Sequence, residues 1–324
     1  MNNEVTLAIC VYNDERYIKE TLESVTNQTF QKFDLLIIDD ASTDCSISIA
    51  KDILEKANKG YRLISLAKNR GIAYARETAL RSAVTQYLIF IDSDDLAHPE
   101  LLEKQYNIIK SDRDIIGVDC WLQFIDQRGR KIKGGLFIGA KTKQEYLSRA
   151  KQQKMVFLPI QCLFEREAAL SVGGFRLDKF PEGDIRYQDF CEDLDLWTRM
   201  SDLYEMGKYM ITIPEVLYSY RKTGLGLSSN RLNMILKMKF VKTNLKRRRA
   251  GGTELSFVDF LDNITPKEQS KLERDATIAT LVSNGIFLCQ RGRIVRGGYY
   301  IIKSICMNPR YFWQKLKANS GLFR

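Results

Sequence analysis

An apolar run ends abruptly in three carboxylates in the stretch Tyr87-Leu88-Ile89-Phe90-Ile91-Asp92-Ser93-Asp94-Asp95. Asp92 and Asp94 stand at positions i and i+2, which project from the same side of an extended strand. Like charges this close repel each other unless a cation or several hydrogen-bond donors lie between them. Magnesium usually takes one or two carboxylates together with phosphate oxygens of a substrate. The stretch predicts either a strand that presents a divalent metal to a diphosphate or an acidic turn that caps the next helix.

Strand-like and helix-like segments alternate through the N-terminal part of the chain. Short apolar runs at 5–12, 33–38, 61–66 and 87–91 are separated by segments whose apolar residues recur at helical spacing. This alternation predicts an α/β fold with a mostly parallel central sheet flanked by helices. In such sheets ligands bind at the carboxyl ends of the strands, which is where the acidic residues fall.

The later part of the chain predicts more helix and fewer parallel strands. Further strands are expected at 115–124, 131–138, 159–164, 209–213 and 216–221. Helical spacing recurs at 190–200, and from residue 230 onward the pattern is helical. We therefore expect a sheet-containing domain at residues 1–224 and a C-terminal helical extension at residues 225–324.

Positive charge is concentrated in this extension. The whole sequence holds 50 Lys and Arg against 40 Asp and Glu, a formal net charge of +10. Residues 225–324 contain 19 basic and 6 acidic residues, which gives +13 and leaves −3 for residues 1–224. The asymmetry indicates contact with an anionic surface, either nucleic acid or lipid headgroups. No recognisable nucleic-acid-binding motif accompanies the charge, so we expect no nucleic-acid partner.

The cysteines and the lengths of the apolar stretches indicate the cellular compartment of the protein. The seven cysteines are scattered, and none forms the Cys-x-x-Cys pair typical of a zinc site. A reducing cytosolic compartment fits this usage best. The N-terminus has no signal pattern, and no stretch of about 18 apolar residues occurs, so we expect a cytoplasmic protein without a spanning helix. The single histidine, His98, is interpreted as structural because it precedes Pro99 at an expected helix start.

Two further candidate ligands lie at the ends of predicted elements. Asp39 follows the second strand, where its carboxylate can accept a hydrogen bond from a nucleotide base, whereas one of the residues from Ser42 to Asp44 can simply cap the next helix. Arg76 lies one turn inside the third helix, and a helix start beside an arginine suits a phosphate or nucleotide. The alternative for Arg76 is an ordinary solvated basic surface.

A pair of acids, Glu192 and Asp193, opens a predicted helix beside Leu194 and Trp197. A carboxylate at a helix start near apolar groups can serve as a general base with a shifted pKa. The same acids would also stabilise the first turn of any helix through its macrodipole. The residues alone leave both interpretations open.

Lysines and apolar residues are mixed along the C-terminal helices. An amphipathic basic helix such as 232–242 can lie on an anionic membrane surface, and segment 310–317 adds aromatic residues beside cations. The alternatives are a solvated charged face and an interface in a homo-oligomer.

The order of these motifs resembles the family 2 glycosyltransferases, which have the GT-A fold. The resemblance covers roughly residues 4–224, and residues 225–324 match only loosely the helical extensions of enzymes that build bacterial surface polysaccharides. The matching residues are Cys10-Val11-Tyr12-Asn13, Asp39-Asp40-Ala41-Ser42, Asn69 to Arg76, Asp92-Ser93-Asp94-Asp95, Gly173-Gly174-Phe175, and Glu192-Asp193 with Trp197.

The resemblance implies a role for each candidate residue. The donor nucleotide would be bound by Cys10, Val11, Tyr12, Asp39, Arg76, Asp92 and Ser93. A Mn2+ or Mg2+ ion on the diphosphate would be held by Asp94 and Asp92. Asp193 corresponds to the catalytic base, with Glu192 and Trp197 as acceptor-binding or supporting residues. Two departures are conservative: Cys10 stands where many members have Pro, and Ala41 where many have Gly.

The resemblance therefore implies an inverting, metal-dependent glycosyltransferase that moves one sugar from a nucleotide sugar, with a UDP-sugar favoured. The acceptor would be a saccharide or lipid-linked saccharide, reached at the inner face of the plasma membrane by a peripheral enzyme. The Gln-x-x-Arg-Trp signature of processive synthases is absent, so we expect a non-processive hexosyltransferase. The alternatives are a catalytically silent nucleotide-binding scaffold subunit and a nucleotidyltransferase, whose chemistry also uses paired acids and a metal.

Overall fold

Two compact units make up the chain, Met1–Thr223 and Gly224–Arg324. The computed structural model describes residues 3–178, 185–223, 230–290 and 292–318. Among these residues, no helix combines the length and the apolar character that crossing a membrane requires. All seven cysteines are free thiols.

Four parallel strands form one half of the sheet in the first unit. The elements are β1 Val5–Val11, α1 Ile18–Thr26, β2 Phe33–Asp39, α2 Ser46–Lys56, β3 Tyr61–Ser65, α3 Ile72–Ser82 and β4 Tyr87–Phe90. β1 lies between β2 and β4, and β3 pairs with the outer side of β2. Every residue of β1 and β4 is buried, which explains why their sequences are continuous apolar runs without alternation. The predicted parallel sheet is confirmed, with small shifts at the ends of its elements.

The other half of the sheet is mixed. Its elements are β5 Leu96–Ala97, α4 Leu101–Ile109, β6 Ile115–Ile125, β7 Lys131–Leu136, α5 Lys143–Lys151, β8 Leu163–Glu165, α6 Arg166–Ser171, α7 Glu192–Met200 and β9 Tyr209–Arg221. The strand order is β3-β2-β1-β4-β8-β6-β9-β5, and β7 pairs with β6. β8 runs antiparallel to both β4 and β6, and so joins the two halves.

A single long strand, β9, stands where the sequence predicts two. The pairing of β9 with β6 shifts register between Ile213 and Val216, on either side of Pro214. Proline has no amide hydrogen to donate to a sheet, so the ladder accommodates it with an irregularity. The gap between the two predicted strands therefore corresponds to this irregularity within one continuous strand.

The described residues of the second unit form five helices: α8 Arg231–Arg249, α9 Phe257–Asp262, α10 Pro266–Gln290, α11 Ile294–Met307 and α12 Pro309–Ala318. Phe240 of α8 packs against the rings of Phe257 and Phe260 at centroid distances of 5.0 and 5.5 Å. Every residue from 231 to 245 is buried or partly buried. The apolar residues of α8 therefore serve the interior of the unit, and the helix shows no exposed apolar stripe.

Two glycines allow α10 and α11 to lie very close to each other. A Cβ atom on Gly285 of α10 would come within 3.0 Å of the carbonyl oxygen of Gly297. A Cβ atom on Gly297 would come within 2.8 Å of the carbonyl oxygen of Gly285 and would collide with the sulfur of Cys289. Gly298, the next residue of α11, has open space around its Cα. The helix pair therefore depends on Gly297 and not on Gly298.

We expect Gly297→Ala to lower the free energy of unfolding by about 1–3 kcal/mol, because the added methyl group forces the two backbones apart. Gly298→Ala is the matched control, and we expect it to raise that free energy by up to about 1 kcal/mol through helix propensity. Urea denaturation of the full chain, followed by circular dichroism, measures both. Equal behaviour of the two variants would contradict the proposed close packing.

Candidate active site

Polar side chains gather where β1, β2 and β4 end. Parallel strands bring their carboxyl ends to one edge of the sheet. Residues 92–95 follow β4 as a tight turn, in which the amide of Asp95 donates to the carbonyl oxygen of Asp92 at 3.1 Å. The acids thus stand on a turn and not on the extended strand that their spacing predicted, because β4 ends at Phe90. The next helix begins only at Leu101, so the turn does not cap it.

The buried cation around which the site is organised is Arg76 of α3. Its Nη2 donates to Asp92 at 2.6 Å, and its Nη1 donates to Glu192. Only 5% of Arg76 is exposed, so both ion pairs lie where the dielectric constant is low and charges interact strongly. Burial opposes the charge of Arg76, but Asp92 and Glu192 raise its pKa above the usual value. Arg76 is therefore not a solvated surface residue, and it ties the end of β4 to the start of α7.

Other acids surround Asp94. Burial, with help from Asp92 and Asp14, raises the pKa of the Asp94 carboxyl group to about 7. Burial also raises the pKa of Asp14, whose carboxylate accepts a hydrogen bond from the hydroxyl of Ser93. A carboxyl group in such surroundings binds a proton or a cation more readily than an isolated one does.

The last residue of β9, Arg221, holds the acidic turn in place. The amide of Arg221 donates to the carboxylate of Asp95 at 2.7 Å, and its Nε donates to the carbonyl oxygen of Asp94 at 2.6 Å. Its Nη2 pairs with Glu20 of α1 at 2.7 Å. Arg221 could not be recognised from the sequence, because 126 residues separate it from Asp95 and no local pattern links the two.

The acids of the turn fit a divalent metal only together with a substrate. Among the residues that the structure describes, no group of three or more His, Cys, Asp or Glu side chains is arranged to hold a metal ion. Asp92, with 27% of its side chain exposed, and Asp94 offer two carboxylates. Hard divalent ions accept such a pair when phosphate oxygens complete their coordination. Burial, together with repulsion from Asp92 and Asp14, raises the pKa of Asp94, and a bound cation would offset both effects, so the donor set fits a cation bound to a diphosphate.

The start of α7 is strained and acidic. Cys191, which precedes the helix, has a φ angle of 52°, and this left-handed conformation costs about 1–3 kcal/mol in a residue other than glycine. Burial raises the pKa of Glu192 to about 8 and also raises the pKa of Asp193. Glu192 is buried against Arg76, whereas Asp193 is partly exposed. Asp193 is therefore the acid of this pair that a substrate can reach.

An interior arginine, Arg199, fixes the remainder of α7. It pairs with Asp195 at 2.8 Å and donates to the carbonyl oxygens of Val172 at 2.6 Å and Gly174 at 2.7 Å. Gly174 has a φ angle of 67°, and a Cβ atom there would crowd the carboxylate of Glu77. The motif at 173–175 thus anchors the helix that carries Asp193.

The remaining predicted residues differ in how far a ligand can reach them. Tyr12 is 46% exposed at the end of β1, whereas Val11 is buried. Cys10 is also buried, which raises the pKa of its thiol to about 12 and keeps it neutral. Asp39 accepts a hydrogen bond from a backbone amide three residues further on, at 2.8 Å. Trp197 is fully buried in the hydrophobic core, so it supports α7 by packing and presents no surface to an acceptor.

Two acids fix the start of α3. Asp40 accepts hydrogen bonds from the amides of Arg70 at 2.7 Å and Gly71 at 2.8 Å, and Asp189 accepts one from the amide of Ala73 at 3.1 Å. Gly71 has a φ angle of 90°, and a Cβ atom there would collide with the carboxylate of Asp189. The helix that carries Arg76 is thereby held at its first turn. Asp189 could not be recognised from the sequence, because its contact joins residues 116 positions apart.

Left-handed backbone also occurs just after β1 and β2. Asn13 and Ala41 have φ angles of 54° and 62°. Ala41 is one of the two departures from the family pattern, at a position where many members have glycine. Glycine adopts this conformation without steric cost, so the geometry explains that preference. Alanine keeps the same backbone shape here at some cost in stability.

Comparison with known proteins gives a family match. The model of the family described as Glycosyl transferase family 2 matches residues 6–173. An uncharacterized glycosyltransferase of Haemophilus influenzae is 31% identical over 191 residues, which cover 59% of this chain and 70% of that protein. The putative glycosyltransferase EpsE of Bacillus subtilis is 26% identical over 219 residues, which cover 68% of this chain and 73% of that protein.

Solved structures resemble the whole fold. The mannosyltransferase PcManGT from Pyrobaculum calidifontis, in complex with GDP-Man and Mn2+, has a TM-score of 0.56 at 19% identity and covers 97% of this chain and 88% of its own. TarS 1–349 from S. aureus, in complex with UDP, has a TM-score of 0.53 at 16% identity and covers 94% of this chain and 91% of its own. These likenesses confirm the expected GT-A-like architecture.

We expect Arg76→Gln to lower the free energy of unfolding by about 3–5 kcal/mol, because it leaves Glu192 buried without its counter-charge. Lys56→Gln is the control, since Lys56 of α2 and its partner Asp52 have 72% and 57% of their side chains exposed. Urea denaturation compares the two variants. A loss below about 1 kcal/mol for Arg76→Gln, in the range of an exposed ion pair, would contradict the central role of this cation.

Proposed function

Because the chain belongs to glycosyl transferase family 2, we propose that it transfers a single sugar from a nucleoside diphosphate sugar to a hydroxyl group of a saccharide. A UDP-sugar is the favoured donor, and a lipid-linked saccharide of a surface polysaccharide is the favoured acceptor. The observation that carries the proposal is the pair of contacts made by Arg76, which hold an acid of the β4 turn and an acid of α7 on one buried cation. The complexes of TarS with UDP and of PcManGT with GDP-Man support a nucleotide-sugar donor.

The β4 turn would serve the diphosphate of the donor. Asp92 and Asp94 would hold Mn2+ or Mg2+, and the ion would neutralise the charge that develops on the departing diphosphate. Arg76 orients Asp92 through their short ion pair, and Ser93 holds the turn through Asp14. Tyr12, exposed at the end of β1, offers a ring on which a nucleotide base can stack, and Asp39 and Cys10 line the same strand ends.

The start of α7 would serve the acceptor. Asp193 takes the proton from the acceptor hydroxyl while the oxygen attacks the anomeric carbon opposite the leaving diphosphate, which inverts the configuration. Its raised pKa makes the carboxylate a stronger base than an ordinary aspartate. Glu192, fixed by Arg76, positions the helix turn from which Asp193 projects. A base placed in this way contributes about 10²–10⁴-fold to the rate.

Neither alternative function explains these features as well. A silent scaffold would need no partly exposed acid of raised pKa beside a buried arginine, yet Asp193 has this environment. A nucleotidyltransferase would share the metal acids but has no use for Asp193. The absence of a Gln-x-x-Arg-Trp signature supports a single, non-processive transfer. We place the reaction in the cytoplasm, in keeping with seven free thiols.

We expect Asp193→Asn to lower kcat by about 10²–10⁴-fold while the binding of UDP and Mn2+ is retained, because the amide cannot accept the proton. Sugar transfer from a panel of nucleotide sugars measures the rate, and calorimetry with UDP and Mn2+ measures binding. Asp52→Asn is the control, since that aspartate lies exposed on α2. Near-normal turnover of Asp193→Asn would remove it as the base.

The stability of the metal-free protein should depend on pH through Asp94. Its pKa of about 7 means that the folded protein holds this proton more tightly than the unfolded chain does. The stability that this adds is fully present below pH 3.8 and is lost as the pH rises to about 7. We therefore expect Asp94→Asn to raise the free energy of unfolding of the metal-free protein at pH 8 by about 1–3 kcal/mol.

The same variant should lose the stabilisation that Mn2+ with UDP gives the unaltered chain. In the unaltered chain we expect Mn2+ affinity to fall by up to about tenfold per pH unit below pH 7, because protons compete for Asp94. Thermal unfolding with and without Mn2+ and UDP, between pH 6 and pH 8, measures both effects. Equal transfer activity in Mn2+ and in EDTA would remove the metal from the mechanism.

A further inference from the structure

Helix α11 of the second unit is apolar on two opposite faces. Its inner face packs on α10, with Gly297 and Ser304 buried and Ile301 and Ile305 against the core of Ile278, Val282 and Ile286. Its outer face carries Val295, Tyr299 and Ile302, which are 90%, 59% and 62% exposed. These three residues follow the spacing i, i+4, i+7 and therefore form one stripe along the helix. We call this set the outer stripe.

Cations flank the outer stripe, and no acid lies near it in the sequence. Arg296 and Lys303 are exposed on the same helix, and Arg293 and Arg310 are exposed just outside its two ends. From residue 276 to the C-terminus the sequence contains eight Lys and Arg and no Asp or Glu. Trp313 of the following helix is also exposed, at 56%. A single exposed apolar residue is ordinary, but an apolar stripe bordered by one sign of charge indicates an interaction surface.

The charge pattern selects among partners for this surface. In a symmetric pair of chains the same patch meets itself, so the flanking cations of one copy would face those of the other. A nucleic acid would use the cations but would gain nothing from an exposed Val or Ile beside them. An anionic bilayer uses both features, because apolar side chains enter the acyl region and cations remain among the headgroups.

We propose that the outer stripe of α11 docks the protein on the surface of a lipid bilayer with anionic headgroups. Val295, Tyr299 and Ile302 enter the interface, Arg296 and Lys303 contact the headgroups, and Trp313 lies at the level where amphipathic rings concentrate. The docking surface is thus α11 and not α8, whose residues up to 245 are all at least partly buried. The proposal goes beyond sugar transfer and is measured without any donor, so its failure and that of the proposed function are distinguishable.

The test is sedimentation of the full chain with vesicles of phosphatidylglycerol mixed with phosphatidylcholine, and with vesicles of phosphatidylcholine alone. We expect binding to the mixed vesicles only. The double variant Val295→Ser with Ile302→Ser should weaken that binding about tenfold or more, because it removes the apolar side chains that would leave water. Arg296→Gln and Lys303→Gln should each weaken it about fivefold.

A matched control is Val84→Ser with Met206→Ser, which removes two apolar side chains of similar exposure, 81% and 71%, from the first unit. We expect this control to bind the mixed vesicles like the unaltered chain. Both double variants change exposed positions, so their unfolding temperatures should match that of the unaltered chain and exclude misfolding as a cause.

Three results would overturn the proposal. The first is undiminished vesicle binding by Val295→Ser with Ile302→Ser. The second is equal binding of the unaltered chain to neutral vesicles. The third is a dimer, seen by light scattering, that this double variant converts to a monomer while vesicle binding persists, which would make the outer stripe a contact between copies of the chain. A blue shift of Trp313 fluorescence on binding mixed vesicles, absent in Trp313→Phe, would support the proposal.

Discussion

A guanidinium group removed from water must be paired where it lies, and Arg76 meets this requirement with Asp92 and Glu192. Asp92 lies in the turn after β4, and Glu192 is the first residue of α7. One buried charge therefore fixes the position of this turn relative to α7. Asp193 acquires its place from this pairing, because it follows Glu192 on the same helical turn. The donor side and the acceptor side of the proposed reaction are therefore set by a single electrostatic constraint.

The site keeps acids in surroundings that oppose their charge. Burial raises the pKa of Asp94, Asp189 and Glu192, and the left-handed Cys191 adds backbone strain beside them. Such features weaken a fold, and proteins retain them where binding or chemistry makes use of them. The rest of the first unit offsets this loss of stability, because its strands and helices share a continuous hydrophobic core and Arg221 holds the acidic turn through hydrogen bonds.

Sequence periodicity predicted β1–β4 and the intervening helices because each is a local pattern buried in one core. It also placed the acids of 92–95 and of 192–193 at the ends of elements. The partners of Arg76 and the contact between Arg221 and Asp95 could not be predicted, since they join residues far apart in the chain. The inward orientation of α8 was likewise decided by neighbouring aromatic rings of α9, and its own mixed pattern of lysines and apolar residues was compatible with either orientation.

The three-way ion pairing also limits how the chain can change over generations. Replacement of Arg76, Asp92 or Glu192 by itself leaves the other members of the group with an unmatched charge at or near the interior. A protein with only one of these substitutions would lose a large fraction of its free energy of unfolding, which is small to begin with. We therefore expect the three residues to change together in evolution. A relative that differs at one of these positions should carry compensating replacements at the other two.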